Sequence, residues 1–153
     1  MKKITSLFAL CLSFWATAQN DCSSPQVITA GLTSVGQITG TNITTSCSTQ
    51  ATLANWYSYT PGQNLTVTIS SDLTQNICKD TRVSIYTGIC GELVCVASDD
   101  DSGGFATSRA DVNVVEGTEY EIAIDGVGGA TGRIVLSWNA SSVSTAGRCG
   151  SRI

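Results

Sequence analysis

The chain of 153 residues contains no histidine. That absence removes the commonest general base, and with it Ser-His-Asp, Cys-His and His-bearing zinc chemistry. No Cys-x-x-Cys pair is present either, which argues against a thiolate metal site. Basic residues are few, eight against twelve acidic ones. An acidic chain of this kind is a poor partner for nucleic acid or anionic lipid. Beyond the N-terminus no apolar run approaches the length of a spanning helix, about 20 residues. No segment carries a convincing helical period, and neither an internal repeat nor a second domain is visible.

The N-terminus reads as an export signal. Lys2 and Lys3 form a short positive region, residues 4–15 are largely apolar, and Ala16-Thr17-Ala18 offers a small-x-small cleavage pattern. Residues 1–18 are therefore expected to be removed. Taking 18 residues from 153 leaves 135, enough for one domain with a real core. Loss of Lys2 and Lys3 leaves six bases against twelve acids, a net charge of −6. The expected location is outside the cell or on its surface, without membrane insertion and as a monomer.

Cysteine usage agrees with export. Cys11 lies in the signal, and Cys22, Cys47, Cys78, Cys90, Cys95 and Cys149 remain. An even number in an exported chain implies disulfides, although spacing alone leaves many pairings open. A Cys90–Cys95 bridge is locally favoured, because Gly91-Glu92-Leu93-Val94 is a short turn between them. Cys22–Cys47 is the next choice, and Cys78–Cys149 is what remains.

The rest of the chain is a series of short alternating strands cut by turn residues. Candidates are 55–60, 65–70, 82–86, 93–97, 110–114, 120–124 and 133–138, with weaker ones near 26–29 and 34–39. Leu65, Val67 and Ile69 share one face while Thr66 and Thr68 take the other. The turn residues Pro61-Gly62, Thr87-Gly88, Glu116-Gly117 and Asp125-Gly126 separate them. The expectation is an all-β fold, a two-sheet jelly-roll-like β-sandwich of about eight strands over residues 19–139. Residues 140–153, rich in Ser and Gly, read as a flexible tail.

Two constellations could carry function. Ser98-Asp99-Asp100-Asp101-Ser102-Gly103-Gly104 holds three consecutive carboxylates, whose mutual repulsion a cation would relieve. Calcium accepts several oxygen ligands in an irregular loop, so Asp80, Asp99, Asp100, Asp101 and Asp125 are candidate calcium ligands. The alternative is a solvated acidic turn in which Asp99 or Asp100 bonds the backbone. The aromatics Trp56, Tyr57, Tyr59, Tyr86, Tyr120 and Trp138 are the second. Tyr57, Tyr59 and Tyr86 are candidate ligand-binding residues, as a stacking surface for sugar rings. Alternation turns Tyr57 and Tyr59 one way and Trp56 the other, and one of those faces is expected to be core.

These motifs in order resemble the bacterial pre-peptidase C-terminal domain. The resemblance rests on Asp80-Thr81-Arg82-Val83-Ser84-Ile85-Tyr86-Thr87-Gly88, on Cys90-Gly91-Glu92-Leu93-Val94-Cys95-Val96, and on Asp99-Asp100-Asp101. Gly117-Thr118-Glu119-Tyr120-Glu121-Ile122-Ala123-Ile124-Asp125-Gly126, Gly129-Ala130-Thr131-Gly132 and Asn55-Trp56-Tyr57-Ser58-Tyr59 extend it across residues 22–138. It implies a non-catalytic accessory sandwich of secreted proteases and surface proteins. Some members bind collagen or polysaccharide, and some bind calcium, with Asp80, Asp99 and Asp100 at the matching acidic positions. Such domains usually follow a catalytic domain, and this chain carries none, nor a recognisable C-terminal sorting domain. The expected role is adhesion to an extracellular polysaccharide or protein matrix. A structural adhesin module without a small ligand is the first alternative, and a carboxylate-based hydrolase the second.

Overall fold

The computed structural model describes residues 20–40, 47 and 53–126, together with the backbone of 134–142. The signal-peptide reading and Cys149 fall outside these residues. Nine strands form two packed sheets, an all-β sandwich as the alternation predicts. They are β1 (Gln26–Val27), β2 (Gly31–Gly36), β3 (Ala54–Tyr59), β4 (Leu65–Ser70), β5 (Thr81–Thr87), β6 (Val94–Asp99), β7 (Arg109–Val114), β8 (Tyr120–Gly126) and β9 (Ile134–Ser142). The order is β1-β3-β8-β5-β6 in the first sheet and β2-β9-β4-β7 in the second. Among the described residues only β1 with β3 pairs in parallel.

Strict alternation builds the second sheet. On β4, Leu65, Val67 and Ile69 enter the core. The intervening Thr66 and Thr68 donate across to Asn113 and Asp111 of β7, at 2.8 and 2.5 Å. Strand β7 answers with Ala110, Val112 and Val114 inside and Arg109, Asp111 and Asn113 outside. Strands β4 and β7 therefore place one apolar face inward and a polar ladder in water. Strand β9 runs on to Ser142, where Ala140, Ser141 and Ser142 lie opposite Val67, Thr66 and Leu65. The sandwich thus extends three residues past the expected boundary at 139, because ladder hydrogen bonds need backbone and not apolar side chains.

The first sheet behaves differently, since its middle strands are buried on both faces. All seven residues of β8 are buried. Tyr120, Ile122 and Ile124 join Tyr57, Val83 and Ile85 in the core between the sheets. On the outer face a second cluster forms from Cys22, Ala54, Trp56, Tyr86 and Ala123, with Cys47, Cys90, Leu93 and Cys95 packed against it. The Trp56 and Tyr86 rings lie 5.8 Å apart, tilted by 31°. Both faces of β3 are thus core, where alternation led us to expect one.

Disulfides hold the N-terminal segments on this outer face. Cys22 bonds Cys90, and Cys47 bonds Cys95, with Cα separations of 5.4 and 5.0 Å. The expected Cys90–Cys95 and Cys22–Cys47 bridges are therefore not formed. Cys90 in the β5–β6 turn and Cys95 at the start of β6 are each stapled to a segment remote in sequence instead. Cys78 is exposed and has no partner among the described residues. Asn55, on the opposite face of β3 from Trp56, ties that strand to the end of β2: its Nδ2 donates to the Val35 and Gln37 carbonyls at 3.2 and 3.1 Å, and its Oδ1 accepts from Thr39 N at 3.2 Å. Gly40 then passes so close to Ala54 that a Cβ would fall 1.7 Å from the Ala54 carbonyl oxygen.

Candidate functional site

Register alone assembles the acidic end of the sandwich. Strands β5 and β6 are antiparallel, with Val83 opposite Asp99. Continuing that pairing outward sets the residues after β6 beside those before β5. Asp80, Asp100 and Asp101 converge there, with carboxyl oxygens within 4.8 Å of one another. One comes from the β4–β5 connection and two from the β6–β7 connection, so only the folded hairpin brings them together. Asp80 Oδ1 is buried without a hydrogen-bond partner among the described residues. Its carboxyl is pushed up by burial and by repulsion from Asp101 and Asp100, and Arg82 partly counters this.

Asp99 and Asp125 do not join this group. Asp99 turns into the β6–β7 loop, where its Oδ2 accepts from Arg109 N at 2.7 Å and Ser102 N at 3.2 Å, and its Oδ1 accepts from the Ser102 hydroxyl. It is a turn-forming side chain, the alternative reading of that residue. Asp125 is buried on the outer face of the first sheet, opposite Arg82 of β5. Burial pushes its carboxyl up to about 6 against the pull of Arg82. The guanidinium stands between the two places, its Nε 3.7 Å from Asp100 Oδ1 and its Nη2 4.0 Å from Asp125 Oδ2. Arg82 and the neighbouring Lys79 stand against Asp80, Asp100, Asp101 and Asp125, so acids outnumber bases there among the described residues. Three carboxylates from two connections, completed by carbonyls or water, suit an oxygen-liganded ion such as calcium.

The proposed aromatic surface is not assembled. Tyr57 and Tyr86 are buried, on opposite faces of the first sheet. Tyr59 is partly buried and packs against the main core. The large apolar cross-sections of these rings fill the interior rather than presenting a flat exposed platform.

A second buried carboxyl lies on the outer face. Glu121 is pushed up to about 7, first by burial and then by repulsion from Glu119. Its Oε2 and the nearby-row Trp56 Nε1 are buried without hydrogen-bond partners among the described residues. Glu121 and Asp125 share a face of one strand four residues apart, about 13 Å at the usual rise per residue.

A buried hydroxyl group fixes the loops at the acidic end. Ser71, Thr81 and Ser108, at the ends of β4, β5 and β7, are fully buried. Ser71 Oγ lies 2.5 Å from Thr81 Oγ1 and 3.2 Å from Ser108 Oγ, and the latter two lie 3.1 Å apart. Ser108 N donates to Ser71 Oγ at 2.9 Å, and Asn76 Nδ2 donates to the Ser71 carbonyl at 2.6 Å. Sequence reading passed over these residues, because Ser and Thr at strand ends look like solvated turn. Comparison with protein-family models, curated proteins and solved structures gives no match.

Proposed function

We propose that this chain is a secreted, non-catalytic binding module, attached to an extracellular polymer of glycan or matrix protein and stiffened by calcium at Asp80, Asp100 and Asp101. The observation that carries this reading is the meeting of these three carboxylates at one loop end of a stapled scaffold. Two half-cystine pairs fit an oxidising setting, which supports export. Rigid sheets presenting functional loops at one end are a common binding design. The pre-peptidase C-terminal resemblance supports the same role. The missing histidine weighs against a hydrolase.

Calcium bound only by the folded form raises its melting temperature. The test is thermal melting of the mature, oxidised protein with calcium and with chelator. A rise with calcium, lost in Asp80→Ala and Asp101→Ala, is the expected result. Identical curves with calcium and chelator would end the metal assignment. Retention on columns of insoluble glycan or collagen tests the attachment itself, and passage through all of them in either condition would end the binding role.

A further inference from the structure

The β6–β7 loop displays an aromatic ring in an unusual way. Phe8 and Phe14 lie in the N-terminal apolar segment, so Phe105 is the sole phenylalanine after it. Its side chain is 76 % exposed. Phe105 and Ala106 both occupy the left-handed backbone region, with φ of 58° and 61°. For residues with a Cβ each such conformation costs on the order of 1 kcal/mol or more.

Hydrogen bonds enforce this shape. Gly103 N donates to the Thr107 carbonyl at 2.8 Å, and Thr107 Oγ1 donates to the Gly104 carbonyl at 2.7 Å and to Asp72 Oδ1 at 3.3 Å. Thr81 N donates to the Ala106 carbonyl at 3.1 Å. A Cβ at Gly103 would lie 2.6 Å from the Thr107 carbonyl oxygen, so the loop is closed tightly on itself. Backbone strain and exposed apolar area thus coincide at one position that the surrounding bonds over-determine.

Opposite the ring stands Ile77 of the β4–β5 connection, 53 % exposed. Its neighbour Cys78 is also in the left-handed region, at φ 65°. Between them opens a pocket of about 180 Å³, walled by Leu73, Ile77 and Phe105 with Asp72 and Thr107. Pockets for small molecules usually run from about 300 Å³ upward. This one suits a single large side chain, the kind of anchor that dominates protein interfaces. The same two connections carry Asp72, Asp80, Asp100 and Asp101. Against these four acids the two connections hold one base, Lys79, and Arg82 of β5 is already drawn toward Asp100 and Asp125.

We propose that this end of the sandwich docks a cationic peptide segment of another extracellular protein. One apolar side chain of that segment seats between Phe105 and Ile77, and flanking Lys or Arg residues face Asp72 and the acidic group. The proposal rests on the binding-module reading and narrows its partner from polymer in general to protein. Charge pairing at an exposed rim makes such binding weaken with salt, while the apolar anchor does not. Calcium competes for the same carboxylates and weakens it further.

The test is panning of a phage-displayed random peptide library on the mature oxidised protein, with the Phe105→Ser protein as counter-target. Enriched sequences should combine Lys or Arg with one large apolar residue. A synthetic peptide of the leading sequence should bind Phe105→Ser at least about tenfold more weakly, as an anchor does. Asp72→Asn and added salt should weaken it as well. The Phe105→Ser protein should melt no lower than the parent, which separates lost docking from lost folding. No enrichment over the counter-target, or enrichment without basic residues, overturns the proposal. Retention on a glycan column unaltered by Phe105→Ser would overturn it too, while leaving the binding-module reading intact.

Discussion

Cys95 and Ala97 stand two residues apart on β6 yet pack on opposite faces of the first sheet. The pairing jumps from Ile85–Ala97 to Tyr86–Cys95, so Val96 is an extra residue in a β-bulge. Without the bulge both side chains would point the same way. With it, Ala97 follows Ile85 inward and Cys95 follows Tyr86 outward, to meet Cys47.

Disulfide mapping by mass spectrometry of the unreduced, protease-digested protein should therefore find Cys22 linked to Cys90 and Cys47 linked to Cys95. The bridges span 68 and 48 residues. Closing loops of this size constrains the unfolded chain, so removing either should cost about 2–5 kcal/mol in denaturant unfolding. A Cys90–Cys95 linked peptide would contradict the assignment.

Stability should fall as pH climbs through the range where Glu121 and Asp125 ionise. Their folded-state values, about 7 and about 6, lie above the ordinary 4.5 and 3.8. The folded form thus holds protons that the unfolded form has released, and raising pH favours unfolding across that interval. Melting temperature should decline from about pH 3.8, where unfolded Asp125 ionises, to about 7 and then level. Glu121→Gln should flatten the upper part of that decline, and an unchanged profile in this variant would refute the assignment.

The hydroxyl group at the loop end should be costly to disturb. Thr81→Val keeps the shape but removes the oxygen shared by Ser71 and Ser108. Buried donors and acceptors left without partners cost about 1–3 kcal/mol. The shift should appear in the denaturant midpoint with an unchanged slope. A midpoint like that of the parent would show that these hydroxyls find other partners.

Asp99 and Asp101 are separated by one residue and should respond oppositely. Asp99→Asn weakens the bonds to Arg109 N and Ser102 and should lower the melting temperature without altering the calcium response. Asp101→Asn should leave the chelated protein nearly as stable and reduce the calcium-induced rise. The reverse pattern would place the ion elsewhere in the loop.

Ile122 lies in the centre of the main cluster with no exposure. Ile122→Ala should destabilise by about 2–5 kcal/mol, read by denaturant unfolding, because a sandwich core cannot fully close around the cavity. A loss well below that range would mean that the two sheets slide together to fill the space.

Period-two alternation made the strands legible, since side-chain direction along a strand is a local property: Leu65, Val67 and Ile69 declare their face without help from any neighbour. The acidic loop was legible as a charge cluster for the same reason. Which of its members meet was not, because Asp80 reaches Asp100 and Asp101 only through the β5–β6 register, whereas Asp99 is claimed by Arg109 N. The tertiary fold also decided that β3, β5 and β8 are covered on both faces, which took Tyr57 and Tyr86 inside. The partner of Cys95 depended on one bulge at Val96, a change of phase that no spacing reveals. Local pattern sets where each side chain points; only packing between distant segments sets what it meets.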